Sequence, residues 1–220
     1  MKRILLIIAV VFVLFSCEKD EYLIDGGISD ANVGTTTLEF LKSHNQLDTL
    51  AILLERAGLG DDVNGATTLF APNNRSIVRY VDAILTEMRE IDPQAEYSVS
   101  DIPTDTLTKY LGAYIFSEKI KREDMTKTGK VYTAINGDER RISLEPSLTS
   151  YSSQLSEPPE YVYYTYKEGL DWDDWDNVVD DVKILVRTSN LVSTNGVIHV
   201  LQGTLTLLIM INKGDLKLFI

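Results

Sequence analysis

Few side chains in this 220-residue sequence could do covalent chemistry. Cys17 is the only cysteine, and it stands where twelve apolar residues, Ile4 to Phe15, give way to Glu18-Lys19-Asp20-Glu21. A lone cysteine closes no internal disulfide, and no His or second Cys lies near it to complete a metal site. The two histidines, His44 and His199, are far apart. No Ser-His-Asp order, zinc-ligand spacing or phosphate-binding glycine loop accompanies them. Two carboxylates could in principle serve a glycosidase, and acids are plentiful. On these residues no enzyme activity, metal or cofactor is expected.

Acylation is the chemistry left to Cys17. Lys2 and Arg3 precede the apolar run, which as a helix would be only ~18 Å long against a ~30 Å hydrocarbon core. That reads as a secretory signal over residues 1–16 rather than a membrane span. Leu14-Phe15-Ser16-Cys17 resembles the bacterial lipobox, with Phe15 bulkier than the usual occupant. The resemblance implies that Cys17 becomes a lipidated N-terminus and anchors the chain to membrane; the alternative is an ordinary signal peptide with an incidental Cys. Lys19, Asp20 and Glu21 are similar to a short Lys-plus-acidic tag that sends lipoproteins to the surface of the outer membrane. A solvated acidic tether on a periplasm-facing protein is the alternative. Residues 17–34, including "DGGISDANVG", read as a flexible tether.

The second cluster with chemistry in it is "EYVYYTYKEGLDWDDWDNVVDD", which holds four tyrosines, both tryptophans and eight acids. Aromatic faces beside carboxylates suit sugar stacking, and they also suit protein interfaces where Trp and Tyr act as anchors. Tyr163, Tyr166, Trp172 and Trp175 are the candidate partner- or glycan-binding residues. Calcium held by Asp171, Asp173, Asp174 and Asp176 is a weaker reading, because the run lacks the central Gly and terminal Glu of an EF-hand loop. The remaining reading is a decorated loop whose aromatics pack on the domain.

Charge narrows the partners. Without residues 1–16 the chain has 19 Lys and Arg against 33 Asp and Glu, a formal charge of −14. Such a surface repels phosphate backbones, so nucleic acid is not an expected partner.

The elements that must position these residues follow from local pattern. Thr36 to Glu39 fits a capping box that opens a helix over Leu38 to Ser43. A second helix over Leu47 to Ala57 ends at Gly58, with Leu47, Leu50, Leu54 and Ala57 on one face and Ile52 and Leu53 widening it. "TTLFAP" is a short buried strand, and Ile77 to Met88 has helical apolar spacing. Thr106 to Ala113 forms another helix leading into an Ile115-Phe116 strand. "KVYTAINGDERRISLE" is a hairpin with Asn136-Gly137 in a type I′ turn. Strands over Val182–Arg187, Val197–Leu201 and Leu205–Ile211 complete the order, which indicates α+β with antiparallel pairing. Residues 146–181 exceed a simple connection and read as an insertion.

Two stretches then point to a family. "TLFAPNNRSI" (68–77) and "TNGVIHVLQGTL" (194–205) resemble the two signature boxes of fasciclin domains, and residues 38–59 resemble that family's N-terminal region. The resemblance implies a single domain over 35–220, a β-sandwich wedge with a helical layer. It marks Pro72, Asn73, Asn195, Gly196 and His199 as fold-signature residues, with His199 expected to be a satisfied core histidine. Between the boxes the family carries a Tyr-His pair associated with receptor adhesion. Ala113 and Tyr114 occupy those positions here, so integrin-type adhesion does not carry over. The expected function is a non-catalytic, lipid-anchored envelope interaction or adhesion module with a protein or glycan partner. An accessory glycan-binding lipoprotein of an outer-membrane uptake assembly is the alternative.

Overall fold

Local chemistry sets where the helices begin and end. In the computed structural model, which describes residues 30–147, 158–167, 171–172 and 181–203, helix α1 spans Thr37–Ser43. Its capping box is complete: Glu39 N donates to Thr36 Oγ1 at 3.3 Å and Thr36 N donates to Glu39 Oε2 at 3.1 Å. Helix α2 (Asp48–Arg56) is followed by Gly58 at φ 73°, a left-handed conformation that glycine adopts without a Cβ penalty. Leu47, Leu50, Leu53, Leu54 and Ala57 are buried, but Ile52 is 56% exposed and does not widen the apolar stripe. After the short helix α3 (Gly60–Val63) comes strand β1 (Thr68–Ala71). Asn73 Oδ1 then accepts from Ser76 N at 3.1 Å and opens the long helix α4 (Asn74–Ile91). Helix α5 (Thr104–Leu111) leads through a 3-10 turn into β2 (Ile115–Phe116).

The remaining strands are β3 (Lys130–Thr133), β4 (Glu139–Pro146), β5 (Glu160–Tyr166), β6 (Val182–Val192) and β7 (Val197–Leu201). They form one sheet in the order β2-β1-β7-β6-β5-β4-β3. Long β6 joins its two halves. Its first residues pair with β5, and its later ones pair with β7 through register shifts between Val186 and Leu191. Such bulges bend a strand and increase its twist. The far edges also meet, since Ile135 N donates to Ile115 O at 2.9 Å and Phe116 packs edge-on against Tyr132. The result is nearly barrel-shaped.

Several expectations change. The β1–β7 pair is parallel, with Thr68 opposite Val197 and Ala71 opposite Val200, so the two signature boxes lie side by side. All other strand pairs in the sheet are antiparallel. Only Gly137 in the hairpin turn has positive φ, so the turn is not type I′. Instead Gly137 N donates to Ala134 O and Ala134 N to Asp138 O, a turn closed by a glycine bulge. Asn136 Oδ1 accepts from Asp138 N at 3.0 Å within the turn, while its Nδ2 donates to Lys109 O at 2.9 Å. Part of the expected insertion, Glu160–Tyr166, is a central strand. Pairing reaches back into the expected tether, where Asn32 bridges Val192 and Val33 N donates to Val192 O. The Leu205–Ile211 strand lies outside the described residues.

Candidate functional site

The signature residues act as structural staples. Asn195 Oδ1 accepts from Thr37 N at 2.9 Å, and Asn195 Nδ2 donates to the carbonyls of Val63 and Gly65, both at 3.1 Å. One amide thereby fixes the start of α1 and the end of α3. A Cβ on Gly196 would lie 2.5 Å from Thr67 O, so only glycine allows this approach. Pro72, buried, ends β1 just before the Asn73 cap. His199 is fully buried and stacks on Phe70 with centroids 4.7 Å apart. Its Nδ1 accepts from Asn190 N at 3.3 Å, leaving Nε2 to donate to Ile120 O at 2.8 Å. Burial holds its pKa down at about 4, partly offset by the bond to Ile120 and by Glu123. A neutral imidazole with both nitrogens engaged is core.

The aromatic candidates separate by strand alternation. Along β4 and β5, Arg140, Ile142 and Leu144 stand opposite Tyr166, Tyr164 and Val162 on the core side. Tyr166 is 6% exposed and belongs to that core, so it presents no face to a ligand. Arg141, Ser143 and Glu145 stand opposite Thr165, Tyr163 and Tyr161 on the other face. Trp172 joins this outer face, half-buried, with Arg141 Cζ 5.2 Å and Lys167 Nζ 5.6 Å from its ring centroid. Tyr163 is half-buried beneath Lys183 Nζ at 5.7 Å. Burial, with Glu145 nearby, pushes its phenol pKa up. Cys17, Lys19, Asp20, Glu21 and Trp175 lie outside the described residues, as do Asp173, Asp174 and Asp176.

Between these rings runs a charged network that no sequence motif marked. Arg141 Nη2 meets Asp181 Oδ2 at 3.3 Å, and Lys183 Nζ meets Glu145 Oε2 at 2.8 Å. Ser143 Oγ donates to Glu145 Oε1 at 2.6 Å. Arg141, Ser143, Glu145 and Asp181 are all buried. Thr165 Oγ1, between Arg141 and Lys183 in register, makes no hydrogen bond among the described residues. The polar alternation of 141, 143 and 145 is readable in sequence, but it signals a solvated face. Nothing local tells that Asp181 would be buried against Arg141. Aromatic rings capped by paired cations suit recognition by contact. Among the described residues no group of His, Cys, Asp and Glu could hold a metal ion.

A wound seven-stranded sheet, a helical layer and two signature boxes paired in parallel define a fasciclin-type module. The fasciclin domain matches residues 45–207, and the chain belongs to that family. Among solved structures it is similar to a FAS1 domain pair from the insect cell adhesion molecule fasciclin I. The identity there is 11% and the TM-score 0.42, over 72% of this chain and 44% of that one. No curated protein matches the sequence.

Proposed function

We propose that this chain is a non-catalytic interaction module of the cell envelope, anchored by acylation of Cys17, displayed on the outer-membrane surface and engaging a protein or glycan partner. Family membership over residues 45–207 carries the reading, because fasciclin domains occur in adhesion-type proteins. Half-buried Trp172 and Tyr163 on one sheet face support contact there. Contact through the stretch that bears the family's Tyr-His pair is not part of the reading, since Ala113 and Tyr114 are both buried. Among the described residues no helix is long and apolar enough to cross a membrane.

The test has two arms. Cys17→Ala should lose the acyl mass and leave the membrane fraction; retention at unchanged mass would sink the anchor. Cross-linking on intact cells should join the wild-type domain to a surface protein or glycan. A domain that cross-links to nothing at the surface is not an interaction module.

A further inference from the structure

A cavity of about 560 Å³ opens at the junction of the α2 and α4 starts with the middle of β6 and the end of β7. That volume lies within the range of small-ligand sites, roughly 300–1,000 Å³. Arg75, the second residue of α4, and Arg187, on β6, both line it. Each is exposed, and neither has a carboxylate or side-chain hydrogen-bond partner among the described residues. In a chain of formal charge −12, two uncommitted guanidiniums facing one cavity stand out, because the overall field repels anions.

The rest of the lining is amide. Asn74 is committed: its Nδ2 donates to Asn45 O and Asp48 Oδ1, and its Oδ1 accepts from Thr49 N. Asp48 Oδ1 also accepts from Thr49 N at 2.8 Å, so its carboxylate is engaged by the starts of α4 and α2. The side chains of Gln46 and Gln202 make no hydrogen bond among the described residues. Their backbones are pinned, with Asn74 N donating to Gln46 O and Gln202 N to Leu185 O, both at 2.8 Å. Gly203 closes the floor against Asn73, whose amide would lie 2.5 Å from any Cβ there. With these backbones pinned, the ordering cost of binding falls mainly on the unpartnered side chains.

We infer that this cavity binds a carboxylate-bearing saccharide. Guanidinium groups take carboxylates through paired charge-assisted bonds, and free amides offer donor and acceptor together to sugar hydroxyls. The start of α4 adds favourable potential for the anion. None of these residues belongs to the outer face of β4 and β5, and the inference stands whether or not Cys17 is acylated.

The experiment titrates the full chain in detergent with trigalacturonate, maltotriose and inorganic phosphate by calorimetry. Trigalacturonate should bind, weaken as salt rises, and bind at least about tenfold tighter than maltotriose or phosphate. Arg75→Ala and Arg187→Ala should each weaken it roughly tenfold or more with the melting temperature unchanged. Lys119→Ala, which removes an exposed charge elsewhere, should not weaken it. The inference is overturned by any of four results: no binding at millimolar trigalacturonate; equal binding of maltotriose; equal binding of phosphate, which would mean a plain anion site; or loss in Lys119→Ala matching the arginine variants.

Discussion

Tyr164 Oη links Arg140 to the backbone of Ala113 inside the core. Arg140 Nε donates to the phenol at 2.8 Å, and the phenol donates to Ala113 O at 2.9 Å. Tyr164 is fully buried and packs against Phe70, Tyr114 and Phe116. Burial drives its pKa up, so it remains a neutral donor. Tyr164→Phe keeps the ring but removes both bonds from buried partners, which costs about 1–3 kcal/mol. For a domain of this size that lowers Tm by about 2–4 °C per kcal/mol. Urea denaturation checks it; an unchanged midpoint would mean the bridge does not stabilise.

His199 makes stability depend on pH. Its pKa is depressed from 6.5 to about 4 by burial, so the unfolded chain binds the extra proton first. Stability is full above pH 6.5 and falls as pH drops toward 4, by on the order of 3 kcal/mol in all. Protonation would also set a ring N–H against the Asn190 N–H. Denaturation between pH 6.5 and 5, where carboxylates contribute least, should show the slope in wild type and a flatter one in His199→Gln. Equal slopes would remove His199 as the cause.

Gly196→Ala should destabilise by about 1–3 kcal/mol, because the new methyl meets Thr67 O, which is backbone and cannot swing away. Thermal melting reads the loss. A neutral substitution would mean the β1–β7 pairing opens without cost.

Trp172 and Tyr166 should behave oppositely. Tyr166→Ala removes a core ring, with a loss on the order of 3–5 kcal/mol. Trp172→Ala should move Tm far less than Tyr166→Ala yet reduce capture of the cross-linked partner, since a Trp anchor at a contact surface contributes ~2 kcal/mol or more. If Trp172→Ala melts as early as Tyr166→Ala, that ring is core too.

Protease added to intact cells should digest the wild-type protein. Replacing Lys19, Asp20 and Glu21 with Ala should protect it at equal abundance. Protection of both proteins alike would place the domain on the periplasmic side.

What could be read along the chain is what neighbours in sequence decide. The Thr36–Glu39 box, the Asn73 cap and the stop at Gly58 each involve residues within one helical turn, so their chemistry is complete locally. The signature boxes were legible for the same reason, as contiguous runs. Folding alone decided which faces meet. The Asn195 amide reaches Thr37, 158 residues away, and Arg141 pairs with Asp181, 40 residues away. Periodicity states that a face is polar or apolar but not what covers it. Ile52 therefore emerges exposed, whereas Ser143 and Glu145 end up buried. Likewise Arg75 and Arg187 share a cavity only because β6 bends through its bulges to bring its middle beside the start of α4. Sheet register and strand curvature are properties of packing between distant segments, and no local pattern encodes them.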